Sequence, residues 1–162
     1  MSTIIIGLGN PVLTDDSVGM HAVREISARL QGRPDVVVRE LCSGGLDLME
    51  AMVGYECAIV VDAAWTGQMD PGTVFAANPA SLRQSRNATS NHNGSLEVAL
   101  ELGVLAGVPL PGKIRFWAVE ASDVTTFGES LTEPVQRALP TLVGNVLHVI
   151  QEGAIEFTEK SL

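Results

Sequence analysis

The run Ile4-Ile5-Ile6 stops at Gly7-Leu8-Gly9, then passes through Asn10-Pro11-Val12-Leu13-Thr14 into the acidic pair Asp15-Asp16. A short β-branched run closed by glycine reads as a strand over 3–6 that is buried on both faces. Residues 16–30 then carry Val18, Ala22, Val23, Ile26 and Leu30 at helical spacing, ahead of Gly32 and Pro34. A buried strand, a polar loop and an amphipathic helix open a βαβ unit, which leads to a parallel sheet. In such sheets ligands bind outside the carboxyl ends of the strands, where this loop lies.

The alternation continues along the chain. Val36-Val37-Val38 is the second expected strand, and Ser43-Gly44-Gly45 is a turn into a helix over 46–53. Cys57-Ala58-Ile59-Val60-Val61-Asp62 is a third, buried strand that ends in a carboxylate. Thr73-Val74-Phe75-Ala76 forms a short strand, close enough in sequence to its neighbour to pair antiparallel at an edge. Residues 78–93, rich in Asn, Ser and Arg, read as a long surface loop. A helix over 94–105, a strand over 114–119, a loop over 122–131 and a helix over 132–151 complete the pattern. Pro134 is tolerated near the start of the last helix, and Pro140 inside it predicts a kink or break. The expected fold is α/β: a three-layer sandwich, a mostly parallel twisted sheet with helices on both faces, in one domain over 1–162.

Net charge narrows the function classes. At −9, with no Lys/Arg cluster, the chain is poorly suited to a phosphate backbone, so no nucleic-acid partner is expected. Its apolar runs are too short to span a bilayer, and its N-terminus has neither a basic flank nor a cleavage site. Cys42 and Cys57 form no Cys-x-x-Cys pair and are expected to be reduced and at least partly buried. A cytoplasmic monomer with no membrane contact is the resulting expectation.

Four features carry candidate chemistry. Gly7 and Gly9 suggest a dinucleotide fingerprint, but position 12 is valine and no acid ends the second strand in the required way, although Glu40 is near. A tight strand-to-loop turn is the more economical role for the two glycines. Asp15 and Asp16 stand at a helix start, where one can cap the helix while the other faces a cleft. Asp62 ends an otherwise apolar strand, and an unpaired carboxylate in a core is costly, so it is expected to face a cleft or meet a partner. His92 lies just before a helix and reads as a solvated loop residue, a helix cap or a functional imidazole. His21 and His148 fall on helices, on solvated or packing faces. Brought to one edge, Asp16, Asp62 and His92 make an N/O ligand set suited to a borderline divalent ion such as nickel or zinc. Three ligands leave coordination positions open.

The stretch Gly7-Leu8-Gly9-Asn10-Pro11-Val12-Leu13-Thr14-Asp15-Asp16-Ser17-Val18-Gly19 resembles the N-terminal signature of the nickel–iron hydrogenase maturation endopeptidases, Gly-x-Gly-Asn-x-Leu-x-x-Asp-[Asp/Glu]-x-x-Gly. The resemblance continues at Val60-Val61-Asp62-Ala63, at His92 followed by Ser95-Leu96, and at Val119-Glu120 before Gly128 and Leu131. Ser17 stands where many relatives have glycine, and Ala121 replaces a proline that often follows the glutamate. The resemblance implies an endopeptidase that removes the C-terminal extension of a hydrogenase large-subunit precursor after nickel insertion. It implies that Asp16, Asp62 and His92 are the catalytic set and contact the substrate's nickel, with no permanently bound cofactor. Nickel would then be a checkpoint that holds the scissile peptide near the carboxylates. A carboxylate would act as general base toward water, or nickel would polarise the carbonyl. Asn10, Ser43, Gly44 and Gly45 are candidates for a substrate groove, with a plain structural turn as the alternative for the last three.

Two rival readings share part of the pattern. Gly-Leu-Gly-Asn-Pro also opens the peptidyl-tRNA hydrolases, esterases that continue with an Arg-His-Asn segment absent around His21. Receiver-type signalling modules also combine an acidic pair with an aspartate ending the third strand. Their pair directly follows the first strand and their lysine follows the last strand, whereas Lys113 here precedes it.

Overall fold

The computed structural model of the protein describes residues 2–77 and 95–151. The first strand, β1 (Thr3–Leu8), is buried along its whole length and pairs in parallel with β2 (Val36–Leu41) on one side and β3 (Cys57–Ala64) on the other. β3 pairs in parallel with β5 (Lys113–Glu120), and β4 (Val74–Ala77) closes the edge antiparallel to β5. The sheet order is therefore β2-β1-β3-β5-β4, mostly parallel with one antiparallel edge. Central strands of a parallel sheet are covered on both faces, which is why β1 and β3 are apolar almost throughout.

Helices fill both outer layers. α1 (Val18–Arg29) and α4 (Glu133–Gln151) pack together on one face, over Ile5, Cys57, Ile59, Val61 and Val119. α2 (Gly45–Met52) and α3 (Leu96–Leu105) pack on the other, over Ile4, Ile6, Leu8, Ala58, Val60 and Phe116. Consecutive residues of β1 and β3 thus feed opposite cores, as a pleated strand requires. Burial of each large aliphatic side chain in these cores is worth about 1.5–3 kcal/mol.

Four strands run further than expected, while α1, α3 and α4 start one or two residues later than the sequence pattern placed them. β1 runs two residues beyond the isoleucines, β2 reaches Leu41, β3 continues past Asp62 to Ala64, and β5 takes in Glu120. Gly7 therefore lies inside a strand and is not the turn itself. A Cβ at Gly7 would stand 2.3 Å from the Gly19 carbonyl oxygen, so the missing side chain seats α1 on the sheet. The reverse contact is as tight: a Cβ at Gly19 would meet the carbonyl oxygens of Leu8 at 2.3 Å and Val61 at 2.5 Å. α4 runs unbroken through Pro140. Cys57 is buried as expected, whereas Cys42 is exposed; both are free thiols. Residues 78–93, expected to form a surface loop, lie outside the described residues up to position 94. Among the described residues no helix is long and apolar enough to cross a membrane.

Candidate functional site

The helix α1 enters the site through a single 3-10 turn, Asp15–Ser17, which packs against β3. This turn and the carboxyl ends of β1 and β3 bring the candidate carboxylates to one edge. Asp16 is 3% exposed and sits in the turn. The backbone at Gly9 lies against it, so that a Cβ on Gly9 would stand 2.2 Å from the Asp16 carbonyl oxygen. Asp62 sits in β3, in register with Ala118 of β5, and its Oδ1 accepts the Ala63 N–H at 2.8 Å. Its exposure is 0%, so of the two expectations, facing a cleft or meeting a partner, the first is corrected and the second is the one met. β3 does not end at Asp62: Ala63 and Ala64 continue its pairing with β5, so the residue stands within the strand and not at its last position. His92, the third candidate, lies outside the described residues. Among the described residues no group of three His, Cys, Asp or Glu side chains is arranged to hold a metal ion.

Asp15 is wholly buried and departs from both roles considered for it. No side-chain bond caps its own turn or α1. Its carboxylate receives the N–H groups of Ser122 (2.8 Å), Asp123 (2.9 Å) and Thr132 (2.8 Å), together with the Thr132 hydroxyl. Thr132 directly precedes α4, so the negative charge lies at the start of a different helix from the one expected, where exposed N–H groups favour an anion. The same loop is zipped to the opening segment. Asp15 N–H donates to the Asp123 carbonyl at 3.0 Å, Thr14 N–H to Thr126 at 3.2 Å, and Gly128 N–H to Val12 at 3.0 Å. Leu13 and Phe127 form an antiparallel bridge at its centre.

Glu120 repeats the device on the neighbouring loop. At 1% exposure, its Oε1 accepts the N–H groups of Thr66 and Gly67, and its Oε2 the Thr66 hydroxyl, each at 2.9 Å. Two carboxylates beside the candidate site are thus committed to holding loops. Sequence reasoning missed both as clamps, although Glu120 bore the signal that singled out Asp62, an acid at the end of an apolar strand. Asp123 organises its own turn: hydrogen bonds from the Thr126 side chain and from the Thr125 and Thr126 N–H groups hold its carboxyl well below the usual range.

The remaining candidates have local partners. Asn10 Oδ1 accepts the Val12 N–H at 3.1 Å, closing an Asx turn. Ser43 donates to the Asp47 carboxylate, and Gly44 and Gly45 are buried at the start of α2, with Gly45 at φ +58°. That left-handed backbone favours glycine, the turn role considered for this segment. Glu40, the acid nearest to a ribose-binding position, is forked by Arg24 at 2.7 and 2.8 Å; the hydrogen bond lowers the Glu40 pKa and raises that of Arg24. A cleft of about 350 Å³ opens beside this pair, lined by Pro11, Ser17, Met20, His21, Arg24 and Glu129. His21 thus lines a cleft whose walls include neither Asp16 nor Asp62.

A profile of the hydrogenase maturation proteases (HycI) matches residues 20–149. The chain belongs to the hydrogenase maturation protease family, a family of peptidases. The matched stretch begins just beyond Gly19, so this assignment does not lean on the opening loop. No curated protein sequence matches the chain. Among solved structures, the hydrogenase maturating endopeptidase HybD from E. coli aligns with a TM-score of 0.80 at 23% identity, covering 95% of this chain and 94% of that one. The [NiFe] hydrogenase maturation protease HybD from Thermococcus kodakarensis gives 0.67 at 20% identity, over 92% and 99% of the two chains. The endopeptidase HycI from Escherichia coli gives 0.66 at 19% identity, over 93% and 92%. These likenesses show a shared fold. Family membership decides against the peptidyl-tRNA hydrolase and receiver readings.

Proposed function

We propose that this maturation protease removes the C-terminal extension of a nickel–iron hydrogenase large-subunit precursor after nickel insertion. In this reading the substrate's nickel is held by Asp16, Asp62 and His92. The observation that supports it most is the convergence of Asp16 and Asp62, distant in sequence, on one sheet edge where the 3-10 turn packs against β3. A carboxylate acceptor set of this kind suits a divalent cation carried in by the substrate. Bridging then turns a loose encounter into an oriented one, which can supply several kcal/mol of the barrier reduction. One carboxylate serves as general base toward the attacking water. Asn10 and Ser43, on the same edge, are the groove candidates. The protease carries no permanent cofactor in this scheme and acts in the cytoplasm as a monomer.

Both carboxylates are covered in the free protein, so the scheme requires that the arriving substrate uncover them. The test is incubation with nickel-loaded and nickel-free precursor, followed by intact mass. Loaded precursor alone is expected to lose its extension. Asp16→Asn, Asp62→Asn and His92→Ala are expected to fold normally and to abolish processing. Normal cleavage by all three variants would reject the site.

A further inference from the structure

Among the described residues two aromatic side chains are exposed, Trp65 at 51% and Phe127 at 81%. Both lie on loops at the carboxyl edge of the sheet, and both loops are pinned by buried carboxylates. Trp65 directly follows β3. Its backbone is held before it by the Ala121 N–H on the Ala64 carbonyl at 2.8 Å, and after it by the bonds from Thr66 and Gly67 to Glu120. Phe127 sits at the bridge with Leu13, in the loop that Asp15 holds. Val12 and Leu46, 49% and 40% exposed, lie at the same edge. The loop after β5 feeds the core through Ala121, Val124 and Leu131, yet it leaves Phe127 in water on a fixed backbone, as the loop after β3 leaves Trp65. Rigid, exposed aromatics are the groups that dominate binding energy at interfaces, because little entropy is lost when they are covered.

We propose that Trp65 and Phe127 are substrate grips, which take apolar side chains of an extended precursor segment next to the scissile bond, and that Glu120 is the positioning residue for Trp65. An extended polypeptide fits this geometry, since the two aromatics stand on separate loops at one edge. An acidic segment does not fit, given Asp123 and Glu129 nearby and the net charge of −9. The inference rests on the maturation-protease reading and adds the chemistry of the segment that the site accepts.

The test is steady-state cleavage of nickel-loaded precursor, with tryptophan emission as a separate readout. Trp65→Ala and Phe127→Ala are each expected to raise KM about tenfold, with a much smaller change in kcat. Trp65→Phe restores most of the loss. Glu120→Gln raises KM in the same direction, and the double variant with Trp65→Ala shows no further rise, because Glu120 acts through Trp65. Precursor binding shifts Trp65 emission to the blue and protects it from acrylamide. The other tryptophan, Trp117, packs against the α1–α4 core and reports no such change. An unchanged KM in Trp65→Ala, while the wild type still processes, overturns the grip and leaves the protease reading standing. Additive effects of Glu120→Gln and Trp65→Ala overturn the positioning role. If the wild type cleaves nothing, the protease reading fails; emission protection by precursor then still supports the grip, and its absence overturns it.

Discussion

Replacement of Gly9 by alanine is the sharpest probe of the site, because the contact at stake is backbone to backbone. The new Cβ would stand 2.2 Å from the Asp16 carbonyl oxygen, with the Asp16 carbonyl carbon and Ser17 Cα both at 3.3 Å. Ordinary van der Waals contact begins at 3.4 Å. No flexible side chain can yield, so the 3-10 turn must retreat by about 1 Å, a displacement that can cost about 100-fold in rate when it falls on a reacting group. Overpacking of this kind costs about 1–3 kcal/mol of stability, which a domain of ordinary stability survives. Gly9→Ala is therefore expected to fold, with a lowered urea midpoint, and to process nickel-loaded precursor about 100-fold more slowly by intact mass. Gly144→Ala is the reference. A Cβ there meets nothing within 4 Å inside α4, so it should raise stability by up to about 1 kcal/mol and leave processing unchanged. Wild-type processing by a folded Gly9→Ala protein would refute the claim that the position of Asp16 governs the reaction.

Two further outcomes follow from the clamps. Asp15→Ala strips the acceptor from three backbone N–H groups, each costing about 1–3 kcal/mol if left unpaired; with partial hydration a loss of about 2–4 kcal/mol is expected in urea unfolding. A loss below about 0.5 kcal/mol, within the range of an ordinary surface change, would show that Asp15 does not hold the loop. Asp123 has a folded pKa below its unfolded one, so its contribution is complete above the unfolded value of about 3.9 and is lost only as pH falls through the lower folded value. Its carboxyl resonance should accordingly titrate below the ordinary aspartate midpoint, and Thr125→Ala with Thr126→Ala should return it toward that midpoint. A normal midpoint in the wild type would contradict the turn's hydrogen bonding.

The layers of the fold were legible because they depend on local pattern. β-branched runs marked β1 and β3, helical spacing marked α1, and the short fourth segment was placed correctly at an antiparallel edge. Strand ends were not legible, since Gly7, Asp62 and Glu120 continue pairing after the apolar signal has faded. The reading of Gly7 as a turn failed because the reason for glycine there is the Gly19 carbonyl of another element. Asp16 and Asp62 were singled out by position alone, but the burial of Asp62 depends on strand length and neighbours that a local reading does not supply. Asp15 was assigned to its own helix. Its partners lie more than a hundred positions away in sequence, where short-range rules have no reach.

That long reach has a temporal consequence. Thr132 and Ser122 must arrive before the segment bearing Asp15 has its final support, and closing such a span is entropically slow. A ribosome that has delivered the opening hundred residues has already made the acidic pair, yet the Asp15 carboxylate still lacks Ser122, Asp123 and Thr132. Competence would then be withheld until the carboxy-terminal third docks, and a truncated or half-made polypeptide would carry the signature without the scissors.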